Sequence, residues 1–289
     1  KNRVTNWFVD PCSGFGRHSG YRDTASKIMN FKFHTQTDPG RTRENNEDSV
    51  AFDELTRLAV LADGMGGYNA GEIASGMATA FIKSEMARWL TEVGRHAQIK
   101  EVRRALEICV DNANLSIFSA ANSNSHYSGM GTTLVVGVFQ GMTLLLGHIG
   151  DSRCYRLRGR QFTQITKDHS LLQEQIDSGL LTLEQAATAP NKNLVTRALG
   201  VEDAVMLELN EYPVQPGDLY LMCSDGLTDM VDDAEISNIL EGSLSLEQKA
   251  DRLVSVANEH GGRDNITVLL VQVDAVSEKR GLISRLLGK

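Results

Sequence analysis

Residues 58–67 read LAVLADGMGG: five apolar residues, then Asp63, then three glycines in four positions. The run from Leu58 predicts a short buried strand. Asp63-Gly64 ends it, and a strand end is where a sheet delivers side chains to a shared edge. The arrangement recurs. LLLGHIGDSR puts Asp151 after the run from Leu144, and DLYLMCSDGLTD puts Asp225 after the run from Leu219. GGRDNITVLLV reverses the order, with Asp264 just before the run from Ile266. Taken singly, each aspartate has a plainer reading. Asp63-Gly64 and Asp225-Gly226 are common turn dipeptides. Gly150-Asp151-Ser152-Arg153 suits a tight turn with a side-chain cap, and Asp264-Asn265 can simply open a strand. Four such carboxylates meeting at one edge would repel unless cations sat between them. One site for hard divalent cations accounts for all four.

Outward from this stretch, the chain reads as strands punctuated by a few helices. Strands are expected at 31–37, 49–53, 58–62, 132–139, 143–149, 153–158, 205–211, 219–223 and 266–273. A Gln140-Gly141 turn between LVVGVFQ and TLLLGHI marks a hairpin. Apolar residues at helical spacing predict helices over 72–90, 99–121 and 246–259. Consecutive strands with short turns, and helices in separate blocks, indicate α+β layers rather than a doubly wound parallel sheet. No internal repeat or linker divides them. The reading is one domain over 30–275. Residues 1–29, rich in Gly, Ser, Arg and Asn, are expected to be a leader outside the fold, disordered or non-native to it. Residues 276–289 form a short basic amphipathic tail, read as a frayed solvated helix in preference to a membrane or partner contact. Residues 168–193 are irregular and long for a connection, which fits either a lid or an ordinary helical insertion.

Composition excludes several classes. With 289 residues, 41% hydrophobic and 23% charged, the chain is an ordinary globular sequence. A formal charge of -8 argues against a nucleic-acid surface. No apolar run approaches the roughly 18–20 residues of a membrane span, and no signal peptide opens the chain. Cys109, Cys154 and Cys223 lie in apolar stretches, so free buried thiols and a cytoplasmic setting are expected. No Cys/His cluster supports zinc, no Gly-rich Lys loop supports nucleotide binding, and no nucleophile elbow supports a Ser or Cys enzyme. His148 and His169 read as core or supporting histidines, not metal ligands. Aspartates without competing soft ligands favour Mg²⁺ or Mn²⁺.

A cation enters with RTRENNEDSV. Arg43 stands five residues before Asp48, beside Glu47, at the start of a strand. Alone this is a solvated charged loop. Beside a metal cluster, Arg41 and Arg43 are both candidates for holding a phosphate with a planar two-pronged donor.

These residues also carry a family resemblance. R-x-x-N-x-D (43–48), DGMGG (63–67), GMGTT (129–133), GDSR (150–153), TKDHS (166–170), TRALG (196–200), SDGLTD (224–229) and RDNIT (263–267) occur in the order seen in bacterial protein phosphatase 2C-type enzymes. The match spans about residues 34–273. The resemblance implies a central antiparallel β-sandwich flanked by helices on both faces, a four-layer α-β-β-α fold. It implies metal-dependent hydrolysis of phosphoserine and phosphothreonine in proteins, with two catalytic Mn²⁺ or Mg²⁺ ions. Asp63 then bridges both ions, Gly64 offers its carbonyl, and Asp225 and Asp264 complete the set. Asp48 and Glu47 bind directly or through water, Arg43 holds the phosphate, and Asp151 belongs to a third, weaker ion. Residues 168–193 resemble the mobile flap. A cognate serine/threonine kinase and a monomeric state are expected. The eukaryotic branch carries a histidine where this chain has Met65, which cannot donate a proton to the leaving group. Two rivals are a catalytically silent scaffold, disfavoured because every core aspartate is present, and a nuclease or phosphodiesterase, disfavoured by the acidic balance.

Overall fold

The computed structural model describes residues 29–67, 70–93, 97–182, 185 and 194–275. Residues 1–28 of the expected leader, the tail and most of the second half of the 168–193 segment lie outside the described residues; Met29, placed in the leader from the sequence, instead opens a strand and is buried.

LAVLA is apolar at every position because both faces of its strand are covered. In β3 (Leu58–Met65), Leu58, Val60 and Ala62 face a helical layer, while Ala59 and Leu61 face a second sheet. It shares its sheet with β2 (Asp48–Asp53), β4 (Gly131–Thr132), β5 (Leu134–Gln140), β6 (Thr143–Ile149) and β9 (Glu208–Pro213), in the order β2-β3-β5-β6-β9 with β4 added to β3. The second sheet runs β1 (Met29–Asp38), β11 (Ile266–Ala275), β10 (Leu219–Cys223), β7 (Arg153–Arg158) and β8 (Gln161–Gln164). Every pairing is antiparallel.

Three apolar layers hold the stack together. Between the sheets, Phe139 is the hub of an aromatic cluster with Phe31, Phe33 and Tyr220, ring centres 5.0, 6.2 and 5.4 Å away. Such pairs add to the burial energy. On the first sheet's outer face lie α1 (Ala70–Val93) and α2 (Ile99–Ser123), which bury Ala74, Ala78, Ile82, Leu106 and Ile117 against it. On the second sheet's outer face, α5 (Asp233–Glu241) and α6 (Leu246–Glu259) follow the one-turn α4 (Asp225–Thr228) and bury Ile236, Leu240, Leu253 and Val256. The order is helix, sheet, sheet, helix, as the resemblance implied. A short α3 (Leu171–Asp177), capped by Ser170, follows β8.

The differences from the sequence reading are local. The strand expected over 132–139 is interrupted at Thr133, whose side chain turns back to the Asp63 backbone. The strand expected over 205–211 lies at 208–213 instead, because its first residues pack against the helix–sheet core as an irregular segment. β8, α4 and α5 were not expected. No helix among the described residues is long and apolar enough to cross a membrane. Cys109, Cys154 and Cys223 are free and buried.

Candidate metal centre

Antiparallel topology brings the quoted motifs to one end of the stack. In the first sheet, β2 and β5 begin where β3 and β6 finish: Asp48 lies opposite Asp63, Leu134 opposite Ile149, and Glu208 opposite His148. In the second sheet, β10 finishes at Cys223 opposite Val268 of β11 and Arg153 of β7. Asp225, Asp264 and Asp151 therefore all emerge at the edge where Asp48 and Asp63 stand.

Asp63 is held from both sides. Its N–H donates to Thr133 Oγ1 at 3.0 Å, and its carbonyl accepts from Thr132 Oγ1 and Thr133 N at 2.8 Å each. Thr133 Oγ1 also meets Ser152 Oγ at 2.7 Å, which ties the loop of Asp151 to the backbone of Asp63. Gly64 has no room for a side chain: a Cβ there would fall inside contact with the carbonyl oxygens of Gly71 and Glu47. Its N–H donates to Glu47 O at 3.1 Å, so the Asp63-Gly64 backbone, the start of α1 and the Glu47 strand entry close on one another.

Asp48 is bound across the sandwich. Ser224 Oγ donates to Asp48 Oδ2 at 2.7 Å and accepts from Thr267 N at 3.0 Å, so one hydroxyl joins both sheets. Asp48 Oδ1 is buried without a hydrogen-bond partner. Asn265 braces the loop that carries Arg43. It accepts from Glu47 N at 2.7 Å and donates to Pro39 O and Asn45 O at 3.0 and 2.8 Å. Arg43 itself is exposed and donates from Nη2 to Asp264 Oδ2 at 2.8 Å. Arg41 is exposed, with its backbone N–H on Gly262 O.

The electrostatics match the crowding. Burial raises the Asp63 carboxyl well above its usual range, and Asp48, Asp225, Asp151 and Asp264 push it in the same direction. Burial also raises Asp225, with Asp151 and Asp229 adding to it. Asp48 rises to about 6, mainly by burial and against the hydrogen bonds of Ser224 and Thr267. Asp151 also reaches about 6, by burial and then the charge of Asp168. Glu47 is raised by burial, with Arg43 opposing. Such a group cannot ionise fully without added positive charge. An all-oxygen, partly buried set with a carbonyl-bearing glycine among it fits hard divalent cations. Arg43, Glu47, Asp48, Asp63, Gly64, Asp151, Asp225 and Asp264 thus meet at one edge, while no hydrogen bond or ion pair among the described residues ties the Arg41 side chain to them. Asp229 joins Asp151 and Asp225, and Ser224 and Asn265 support the cluster; the sequence reading did not single these three out, although all lie inside quoted motifs.

Arg153 clamps Asp168 through Nε, at 3.0 Å to each carboxylate oxygen, and Nη2 at 2.7 Å. That fixes the start of the 168–193 segment. Among the described residues, one group of three potential ligand atoms lies within 4.8 Å of one another: His148, His169 and Glu208. The two buried rings stack at 4.6 Å. His148 Nε2 meets Lys167 O at 2.8 Å, and His169 Nδ1 accepts from Gly150 N at 3.2 Å. His169 Nε2 then faces Glu208 at 3.3 Å, with Arg197 Nη1 at 3.4 Å. With the Gly150 amide on one ring nitrogen and a guanidinium beside the other, this group is built as a brace behind the Asp151 loop.

The model of the family described as protein phosphatase 2C matches residues 38–270. The serine/threonine phosphatase stp of Listeria innocua is 38% identical over 248 residues, covering 85% of this chain and 97% of that protein. The solved structure of the Mycobacterium tuberculosis serine/threonine phosphatase PstP/Ppp superposes with a TM-score of 0.77 at 37% identity, over 84% of this chain and 99% of that one. The structure of the PstP catalytic domain in complex with two manganese ions gives a TM-score of 0.75 at 37% identity, over 86% of this chain and 100% of that one. The chain belongs to the protein phosphatase 2C family of bacterial serine/threonine protein phosphatases.

Proposed function

We propose that the carboxylate end of the sandwich hydrolyses phosphoserine and phosphothreonine monoesters in proteins. The observation that carries this is the convergence of Asp48, Asp63, Asp225 and Asp264 with Arg43 at one edge. When bound, two manganese or magnesium ions supply the positive charge that lets a phosphate dianion approach, and they lower the pKa of the attacking water.

This chain's residues do the rest. Asp63, central among the acids, would hold the ions, together with the Gly64 carbonyl beside it. Asp225 and Asp264 complete the set, and Asp48 keeps one buried oxygen free of protein partners for it. Glu47 serves through water at the rim. Arg43 leaves Asp264 for the substrate, where its fork holds the phosphate oxygens and stabilises their charge in the transition state. Asp151, with Asp229, serves an outer ion. Met65 takes no part in proton transfer. Cys223, two residues before Asp225, is fully buried, and burial raises its thiol, so it is not placed to attack a substrate.

A cytoplasmic monomer that reverses a serine/threonine kinase is the setting this reading supports. Hydrolysis of p-nitrophenyl phosphate and a phosphothreonine peptide should require Mn²⁺ or Mg²⁺ and stop with chelator. Metal-loaded protein that hydrolyses neither would favour the silent scaffold. Preferential cleavage of bis-p-nitrophenyl phosphate would favour a phosphodiesterase.

A further inference from the structure

Asp63 and Met65 are two residues apart on β3, so both side chains leave the same face of the strand, roughly 6–7 Å apart along it. Both are partly buried, while Gly64 between them is fully buried. Met65 carries the floor of the aspartate site into a second depression. This is a half-open groove of about 370 Å³, with Met65, Val201, Val205 and Met206 among its apolar walls and Arg197 and Glu202 as its charged residues. The volume falls within the roughly 300–1,000 Å³ of small-ligand sites.

The groove is preformed. Leu199 and Thr132 exchange backbone hydrogen bonds at 2.8 and 3.1 Å. The Gly200 N–H donates to Asn114 Oδ1 at 2.7 Å, and Asn114 Nδ2 donates to Glu202 O at 3.0 Å. Val201 packs directly on the Gly131 backbone, where an added Cβ would lie 2.7 Å from Val201 Cγ2 and 3.1 Å from Leu199 O. The far wall is therefore fixed to α2 and β4, and β4 is paired to β3 beside Asp63. On this frame Val201 and Met206 are nonetheless 52% and 68% exposed. Apolar side chains held open to solvent beside a reaction centre mark a binding surface. Phosphate chemistry has no use for them.

We propose that this groove is a substrate subsite that takes an apolar side chain of the phosphoprotein, within three residues of the phosphorylated serine or threonine. The second neighbour fits best. Alternate residues of an extended peptide point the same way and lie about 7 Å apart, which matches the step from Asp63 to Met65. The one positive and one negative residue leave the groove neutral, so it selects by apolar fit and not by net charge. The proposal rests on the aspartate cluster being the phosphate-hydrolysing centre.

The test is kcat/KM on a phosphothreonine peptide series in which Leu or Asp is placed in turn at each position from three before to three after the phosphoresidue, with p-nitrophenyl phosphate as a substrate too small to reach the groove. For the wild type, Leu should exceed Asp by about tenfold at one position or more, the scale of a single apolar contact. Val201→Asp and, independently, the more exposed Met206→Asp should erase that preference while p-nitrophenyl phosphate turnover stays within twofold. The p-nitrophenyl phosphate rate reports folding, so a variant that loses it is set aside and the other decides. No preference at any position, or a preference that survives in a variant with normal p-nitrophenyl phosphate turnover, would overturn the subsite. A wild type that hydrolyses neither substrate would instead overturn the reading of the aspartates.

Discussion

At the residue scale, the acids at this edge are not equivalent. Asp63 sits in the sheet between Asp48 on one side and Thr133 on the other, with its backbone held at both ends. Asp225 opens a one-turn helix and Asp264 precedes a strand, so each comes from a different element. Losing a ligand should cost more than the roughly 10–100-fold that supporting contacts cost. Asp225→Asn and Asp264→Asn are therefore expected to reduce kcat more than about 100-fold at any Mn²⁺ concentration. Asp151→Asn should stay within about tenfold at saturating Mn²⁺ while needing more metal, at the mild end of that range. Arg43→Ala should mainly raise KM, by roughly 10–100-fold for a lost charge-assisted contact of about 1.5–3 kcal/mol. Lys should not restore it, since one ammonium cannot make two parallel bonds. Initial-rate kinetics on a phosphothreonine peptide separate these cases. The meeting of the aspartates at one edge was legible because an apolar run with an aspartate at its end repeats along the chain. Ser224 and Asn265 were not, because a serine or asparagine at a strand end has many local uses, and only the fold shows one hydroxyl spanning two sheets.

At the element scale, the long strands and helices were readable from apolar period. Short elements were not. α4 is four residues, and Asp225-Gly226 reads equally as a turn until its packing under β11 is known. β8 has no fully buried residue and only one apolar side chain, Phe162, so it lacks the apolar signal of its neighbours. At the break, Thr133, a residue with good strand propensity, leaves the ladder and holds the Asp63 backbone through its hydroxyl and its N–H. Two changes test this view of the elements. Ser245 caps α6 reciprocally with Gln248. Ser245→Ala should cost about 1 kcal/mol, read as a fall of roughly 2–4 °C in Tm, with peptide hydrolysis unchanged. Gly64→Ala must push apart the backbones of Gly71 and Glu47, so it should cost about 1–3 kcal/mol and lower activity as well.

At the scale of the whole molecule, antiparallel pairing makes the site. Two sheets packed face to face, each with its strand ends staggered to the same side, deliver five acids to one hollow without a long loop. The sequence patterns indicated layered α+β architecture, but the order of strands within each sheet came only with the structure, since short turns do not say which neighbours pair. The crowding has a thermodynamic signature. In chelator-treated protein the folded state holds protons on Asp48, Asp151, Asp63 and Asp225 more tightly than the unfolded chain does. The contribution of Asp48 and Asp151 to stability is complete below the ordinary carboxylate range, near pH 4, and is lost as pH rises through about 6, while that of the more strongly raised Asp63 and Asp225 persists to higher pH. Bound cations replace those protons. Mn²⁺ at 100 times its Kd stabilises by about 2.7 kcal/mol, or roughly 5–10 °C in Tm at pH 7.5, and the increment should shrink at pH 5, where protons compete for the same oxygens. An increment that is flat with pH would contradict the shared-carboxylate account.

The central claim is that the strand-end aspartates hydrolyse phosphoproteins by holding metal. It is tested most directly by Mn²⁺ titrations of phosphothreonine-peptide hydrolysis on chelator-treated wild type and Asp225→Asn, side by side. The account predicts no turnover without metal, saturable recovery in the wild type and near-baseline rates in Asp225→Asn at every concentration. An Asp225→Asn protein with wild-type turnover and metal dependence would contradict it.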